Sequence, residues 1–471
     1  MSGAPKRIVI IGGGYVGMYT ALKAQKKLSA GRAEIVVIDP QPNMTYQPFL
    51  PEAAAGSVEP RHVVVPLRRV LKKCRVITGM VTDVDHGRKA VTIAPIEGQS
   101  YELSYDLLVM AVGSIARTLP IPGLAEQGVG FKTIGEAIYL RNFVLSRLDF
   151  ATSTEDVVSR RRALTFAFVG GGYAGIEAIA ELQDMARYAC RYYPNIEPSD
   201  MRWVMIEAAN RIMPEVSVSL AAYTVDRLAE RSIDVRLSTR LESAVGGHIV
   251  LSDGDSFDAD TLVWTAGVKP HPLIARSGLP LHRTGRLKCK ANLSVDGVRD
   301  VFAAGDGAAV PDLSKKDDPE ALCGPSAQHA VRQAAVLGAN LARAIKGERL
   351  HDYEHAYAGS VASLGLYRGV AEIYGIKLRG IVAWFMHRSY HVARVPTFNR
   401  KVRVLADWTE ALFFPREVVS LGQLQVPRQE WAAATGSTGA VGRGTVVPET
   451  PAEASLDGDT AASGRPAAGR G

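Results

Sequence analysis

The stretch RIVIIGGGYVGMYTALKAQKKLSAGRAEIVVID, residues 7–39, decides the fold. It predicts a buried β-strand, a glycine-rich turn, a helix, and a second strand that ends in Asp39. In this setting Gly12 permits the tight turn, Gly14 lets the backbone approach a pyrophosphate, and Gly17 lets the helix pack closely on the strand. Asp39 stands where a carboxylate accepts hydrogen bonds from a ribose diol. The stretch therefore predicts a dinucleotide-binding β–α–β unit.

The same pattern returns later in the chain. LTFAFVGGGYAG, residues 164–175, repeats the strand and the turn, and a further strand ends in Glu207. The fingerprint glycines of this second copy are Gly170, Gly172 and Gly175. Two complete fingerprints predict two bound dinucleotides, and an enzyme that holds two dinucleotides usually passes electrons between them.

Three further segments belong to the same architecture. A strand that ends in a small-residue turn occurs at residues 105–114, with Gly113, and again at residues 261–267, with Gly267. Near residue 300 another strand delivers Asp306 beside Gly305, where the backbone can come close to a ligand.

Composition narrows the class of protein. The chain has 471 residues, 47% of them hydrophobic, and a formal net charge of +7, which is too mild for a nucleic-acid-binding protein. No apolar run is long enough for a transmembrane helix or a signal peptide, so we expect no export. The four cysteines are far apart, so we expect reduced thiols. We expect no metal, because no ligand spacing is offered by His248, His271, His282, His351 and His355.

The motifs, taken together, resemble those of the two-dinucleotide-binding-domain flavoproteins of the pyridine-nucleotide oxidoreductase superfamily. Five motifs occur in that family's order over about residues 7–345. The resemblance implies that FAD binds at the first fingerprint and at Gly113, Gly305 and Asp306, and that NAD(P)H binds at the second fingerprint and at Gly267. Glu207 favours the 2′-OH of NADH over the 2′-phosphate of NADPH, although Arg211 on the same loop leaves NADPH open.

Residues 43–56, which contain no cysteine, indicate the class of electron acceptor. Disulfide-reducing members of the superfamily carry a cysteine pair near residues 43–56, where this chain has none. Instead YQPFLPEAAAG, residues 46–56, resembles type II NADH:quinone oxidoreductases, as does AQHAVRQ, residues 327–333. This resemblance implies that Gln328 lies beside the flavin facing the quinone, and that Glu177 lies near the nicotinamide and the quinone.

The chemistry of quinone reduction also predicts a role for Glu177. Two residues past the third glycine, it is expected in the first turn of its helix, where the helix dipole favours a carboxylate. Quinone reduction consumes two protons, so a carboxylate there can relay one. The alternative is that Glu177 only stabilises the start of the helix and that Gln328 only satisfies backbone groups.

The C-terminal part predicts two amphipathic helices, near residues 379–391 and 400–414. Residues 373–406 contain no acid and seven basic residues, which equal the entire net charge: Lys377, Arg379, Arg388, Arg394, Arg400, Lys401 and Arg403. The second helix places Val402, Leu405, Trp408 and Leu412 on one stripe. Such helices suit docking on anionic lipid, with packing against the core or in a homodimer as the alternative.

The sequence thus predicts an α/β fold with two Rossmann-like dinucleotide-binding domains, for FAD and NADH, and a C-terminal helical membrane-associating region. The predicted parts are 1–120 and 285–350 for FAD, 121–284 for NADH, 351–428 for dimerisation or membrane association, and 429–471 for a disordered tail. The predicted function is electron transfer from NADH through FAD to a membrane quinone without proton pumping, peripherally on the cytoplasmic side of the cell membrane. The alternatives are a soluble reductase serving a ferredoxin-like or other acceptor, and a redox-signalling flavoprotein with little turnover.

Overall fold

The computed structural model of this chain describes residues 4–29, 31–355, 359–414 and 416–421. The predicted tail, 429–471, lies outside the described residues. In chain order the strands are β1 (Lys6–Ile11), β2 (Ala33–Asp39), β3 (Asn43–Thr45), β4 (Val64–Pro66), β5 (Arg75–Asp85), β6 (Ala90–Pro95), β7 (Tyr101–Ser104), β8 (Leu107–Met110), β9 (Ser114–Ala116), β10 (Gly128–Gly130), β11 (Thr165–Val169), β12 (Arg202–Ile206), β13 (Ile233–Arg236), β14 (Leu241–Ser243), β15 (His248–Leu251), β16 (Ser256–Asp258), β17 (Thr261–Trp264), β18 (Val268–Pro270), β19 (Leu287–Lys288), β20 (Val301–Ala303), β21 (Ala308–Ala309), β22 (Gly359–Ser363), β23 (Gly369–Ile373) and β24 (Ile376–Arg379).

The α-helices alternate with these strands over most of the described chain. They are α1 (Tyr15–Lys27), α2 (Leu50–Ala54), α3 (Leu67–Val70), α4 (Leu124–Gln127), α5 (Ile134–Ser153), α6 (Val157–Ala163), α7 (Tyr173–Ala189), α8 (Val218–Ala229), α9 (Pro272–Arg276), α10 (Ala327–Lys346), α11 (Gly380–Arg394) and α12 (Phe398–Phe413).

A seven-stranded sheet carries the first glycine turn. Its order is β20-β8-β1-β2-β5-β6-β7, parallel from β20 to β5 and antiparallel from there on. Ile8, Val9 and Ile10 of β1 are fully buried, as expected for a parallel strand covered on both faces. The turn between β1 and α1 lies at the carboxyl end of β1, the end of an open α/β sheet at which ligands bind.

A five-stranded parallel sheet carries the second turn. Its order is β10-β17-β11-β12-β13, and the turn joins β11 to α7. A short antiparallel ribbon, β9 with β18, connects the two parts of the chain. Gly113 and Gly267 immediately precede these two ribbon strands, with φ of +65° and +82°. The predicted α/β fold with two Rossmann-like sheets is confirmed.

The C-terminal part contains both predicted helices, as α11 and α12. It also contains an antiparallel sheet, β22-β23-β24, which the sequence reading missed. These strands are short, and a single glycine marks each connection: Gly365 before β23 and Gly375 before β24. No helix in the described part of the chain is long and apolar enough to cross a membrane.

We predict that Gly17→Ala strongly destabilises the fold. A Cβ at this position would stand 1.7 Å from the carbonyl oxygen of Gly12, which is backbone and cannot swing away. Overpacking of this kind costs about 1–3 kcal/mol or more, and urea unfolding would measure it. Gly31→Ala, whose Cβ meets nothing within 4 Å, is the matched control. Equal stabilities of the two variants would contradict the prediction.

Candidate active site between the two glycine turns

The first glycine turn is shaped to receive a pyrophosphate. The amide of Gly13 donates to Asp39 Oδ2 at 2.6 Å, and the amide of Gln41 donates to Asp39 Oδ1 at 2.6 Å. Burial raises the pKa of the Asp39 carboxyl, and these two backbone donors oppose that rise. A Cβ added at Gly14 would meet nothing within 4 Å, so the space above the turn is open to a ligand.

The second turn repeats this arrangement with a glutamate. The amide of Gly171 donates to Glu207 Oε2 at 2.6 Å, and the amide of Ala209 donates to Oε1 at 2.7 Å. A Cβ at Gly172 would again meet nothing within 4 Å, whereas one at Gly175 would stand 2.0 Å from the carbonyl oxygen of Gly170. The Arg211 guanidinium donates to the carbonyl of Pro214. Both turns therefore fit a dinucleotide by the same geometry.

Asp306 belongs to a polar cluster that the sequence reading only partly found. Ser114 Oγ donates to Asp306 Oδ2 at 2.7 Å, and Lys132 Nζ donates to Ser114 Oγ at 2.7 Å. The amide of Gly305 donates to Gln333 Oε1 at 2.7 Å. Lys132 was missed because no motif marks it; Gln333 ends the AQHAVRQ segment and could have been found there.

The two turns share one cavity of about 580 Å³. Tyr15 and Tyr173, the first residues of α1 and α7, both line it, so the two fingerprints open into the same space. Gln328, the second residue of α10, lines it as well. Its Nε2 donates to the carbonyl of Gly359 at 3.3 Å. A ligand at one turn can therefore meet a ligand at the other beside Gln328.

Glu177 lies behind the wall of this cavity rather than in it. The prediction that it occupies the first turn of its helix is wrong: it is the fifth residue of α7, in the second turn, and only 7% exposed. Its Oε1 accepts from the amide of Ser363 at 2.9 Å and lies 3.0 Å from His387 Nε2. His387 in turn packs against His391, which lines the cavity, with ring centroids 4.5 Å apart.

The predicted membrane helices needed one correction. Arg388 is only 9% exposed, lies between the rings of Trp384 and Trp408, and is paired with Glu52 at 3.5 Å, so it is not a surface cation. Trp408, predicted on the apolar stripe, turns inward and its Nε1 donates to Glu52 Oε2 at 2.7 Å. Glu52 is distant in sequence from Arg388 and Trp408. The sequence pattern alone therefore predicted that both residues lie on the surface.

The outer faces of α11 and α12 nevertheless carry large exposed apolar side chains. They are Ile381, Val382, Phe385, Phe398, Val402, Leu405, Leu412 and Phe413, and Phe414 directly after α12 adds another. A patch of this kind usually marks an interaction surface. In the described part of the chain, no group of three or more His, Cys, Asp or Glu is placed to hold a metal ion.

Comparison with known proteins places the chain in a family. The sequence model of pyridine nucleotide-disulphide oxidoreductases matches residues 6–334, which include both glycine turns and Gln328. The chain belongs to this family. The chain has the two dinucleotide turns, but it lacks the cysteine pair that disulfide-reducing members of the superfamily carry near residues 43–56.

Named relatives within the family agree with the predicted subgroup. The chain is 29% identical to a type II NADH:quinone oxidoreductase of Mycobacterium tuberculosis, over 91% of this chain and 92% of that one. It is 29% identical to a type II NADH:quinone oxidoreductase of Staphylococcus epidermidis, over 81% and 93%. NDH2 from Plasmodium falciparum, solved in complex with NADH, superposes with a TM-score of 0.80 at 18% identity, over 88% of this chain and 99% of that one. The resemblance drawn from the sequence is confirmed, and the alternative functions are not favoured.

We predict that the protein binds NADH at least about tenfold more tightly than NADPH, because Glu207 repels a 2′-phosphate. Glu207→Gln removes the charge but keeps an oxygen to accept from Gly171, and we expect it to narrow the difference. Fluorescence titration with both nucleotides measures this. Glu242→Gln, at an exposed carboxylate on β14, is the matched control. Equal dissociation constants in the unmodified protein would refute the assignment.

Proposed function

We propose that this protein is an FAD-dependent NADH:quinone oxidoreductase that passes electrons from NADH through FAD to a membrane quinone without pumping protons. The observation that carries this proposal is the shared cavity: Tyr15, Tyr173 and Gln328 line one space between two dinucleotide turns. Type II NADH:quinone oxidoreductases are the named relatives over most of the chain's length. Among the described residues, no helix has the length and apolar character needed to span a membrane.

The residues at the first turn fit FAD. Gly12, Gly14 and Gly17 would receive its pyrophosphate, Asp39 its ribose, and Gly113, Gly305 and Asp306 the part that enters the shared cavity. When bound there, FAD supplies a two-electron carrier between nicotinamide and quinone. At the second turn Gly170, Gly172, Gly175, Glu207 and Gly267 would hold NADH with its nicotinamide toward the same cavity.

The chain's own residues orient the reactants and supply protons. Gln328 presents an amide to the cavity from the first turn of α10, where it can donate to a quinone oxygen. Reduction of a quinone to a quinol takes two protons, and side chains beside the cavity can relay protons to it. Glu177, buried one layer behind the cavity, can hold such a proton. We therefore assign Gln328 and Glu177 as the catalytic residues.

The test of this proposal is steady-state NADH oxidation with a short-chain quinone, a ferredoxin or oxygen as acceptor. We expect quinone to be the preferred acceptor, and Gln328→Ala and Glu177→Gln each to lower quinone turnover at least about tenfold with FAD retained. Gln99→Ala and Glu97→Gln, at exposed positions between β6 and β7, are the matched controls. Near wild-type turnover in both site variants would overturn the residue assignment.

We further propose that the protein acts peripherally on the cytoplasmic face of the membrane. The exposed apolar residues of α11 and α12 lie beside Arg394, Arg400, Lys401 and Arg403 on the same helices. An apolar face flanked by basic residues suits an interface with anionic lipid. A second copy of the chain could cover the same face, and the experiment below separates these occupants.

We predict that Arg400→Gln with Arg403→Gln weakens binding to anionic vesicles about thirtyfold, at about 1 kcal/mol for each charge. Flotation with phosphatidylglycerol vesicles measures the loss. Arg240→Gln with Arg283→Gln removes the same charge from exposed positions elsewhere and serves as control. Arg388 stays intact because it is buried. A protein that stays off vesicles at low salt and sediments as a dimer would assign the face to a homodimer instead.

A further inference from the structure

A row of buried polar side chains joins the shared cavity to a second cavity. The second cavity has a volume of about 630 Å³ and is lined by Asp184, Arg388 and Arg416, among others. Arg416 lies 3.6 Å from Glu181 Oε2, and Glu181 is only 1% exposed. One end of the row is therefore a buried carboxylate at the edge of the second cavity.

The row continues from Glu181 to Glu177 through a serine. Ser363, in the first strand of the C-terminal sheet, donates from its Oγ to Glu181 Oε1 at 3.0 Å and from its amide to Glu177 Oε1 at 2.9 Å. The two carboxylates lie one helical turn apart on α7, so a single residue can bridge them. Ser363 therefore bonds both acids, Glu181 through its hydroxyl and Glu177 through its amide.

The row ends at the shared cavity through two histidines of α11. His387 Nε2 lies 3.0 Å from Glu177 Oε1, the His387 and His391 rings pack edge to face at 4.5 Å between centroids, and His391 Nδ1 lies 3.1 Å from the Tyr46 hydroxyl. His391 and Tyr46 both line the shared cavity. His387 is 1% exposed and faces no solvent. It connects the buried acid to the cavity wall.

The charges around the two histidines set different proton affinities. Burial disfavours a charge on His387, but contact with Glu177 on α7 and the charge of Glu52 on α2 outweigh burial and the repulsion of Arg388, so the pKa of His387 is raised. Burial and the neighbouring His387 hold the pKa of His391 well below its usual value. His387 therefore has the higher proton affinity of the two histidines.

We propose that His387 and His391 are the proton donors of the quinone site, carrying protons from Glu177 to a quinone in the shared cavity while Glu181 refills Glu177 from the second cavity. This rests on the proposed function. Reduction of a quinone by NADH consumes one proton from water, because NADH brings two electrons and one proton while the quinol needs two of each. In each turnover His387 passes a proton to His391, His391 gives it to a quinone oxygen, and His387 then takes a new proton from Glu177. The second proton of the quinol is the one that NADH brings.

The test compares acceptors that do and do not need protons. His387→Gln keeps a polar side chain beside Glu177 but cannot carry a proton, and we expect it to lower turnover with a short-chain quinone at least about tenfold. Turnover with ferricyanide, which takes electrons and no proton, should stay within about twofold of wild type. His391→Gln, at the cavity wall, should also lower turnover with quinone and spare turnover with ferricyanide. It tests the relay independently if His387→Gln does not fold. His248→Gln, which removes a surface histidine paired with Asp258, is the matched control.

A second readout does not depend on turnover. In NMR titration of the full-length protein labelled at histidine, His387 should titrate at higher pH than His391, and Glu177→Gln should narrow that difference. Equal losses with quinone and ferricyanide, unchanged quinone turnover, or His387 titrating at or below His391 would each overturn the relay. A wild-type protein that reduces ferricyanide but no quinone would refute the proposed function itself.

Discussion

The close approach of helix to strand at each glycine turn is the constraint on which the rest of the structure depends. A Cβ at Gly17 would stand 1.7 Å from the carbonyl of Gly12, and one at Gly175 would stand 2.0 Å from that of Gly170. Only glycine permits this contact, and it aims the amino end of each helix at the space above the turn. Because both turns are built alike, the first residues of α1 and α7 reach the same cavity.

The C-terminal helices depend on a different interaction, a set of buried charges. Glu52 on α2 accepts a hydrogen bond from Trp408 on α12 and forms an ion pair with Arg388 on α11. A single carboxylate therefore ties both helices to the rest of the protein. Removing one partner of such a group leaves an uncompensated buried charge, which costs about 3–5 kcal/mol. The same packing places His387 beside Glu177 and His391 at the cavity wall. The contacts that anchor the two helices therefore also complete the site.

Most of the features that the sequence predicts correctly follow from patterns within short segments of the chain. The glycine spacing and the terminal acids Asp39 and Glu207 are determined within about 40 residues, and the structure has both acids bonded to their turns. The surroundings of Glu177 and Arg388 could not be predicted, because their partners come from distant segments: Ser363 and His387 for the first, Glu52 for the second. An amphipathic helix shows which residues share a face, but not which face is covered. Arg388 was for this reason assigned to the surface.

The central claim is that two dinucleotide sites facing one cavity move electrons from NADH to quinone. The most direct measurement is the anaerobic stoichiometry of the full-length protein, with NADH loss and quinol formation followed together and FAD content determined per chain. We expect one FAD per chain and one quinol formed per NADH consumed. NADH loss without quinol formation, or quinol formation by a protein free of FAD, would contradict it.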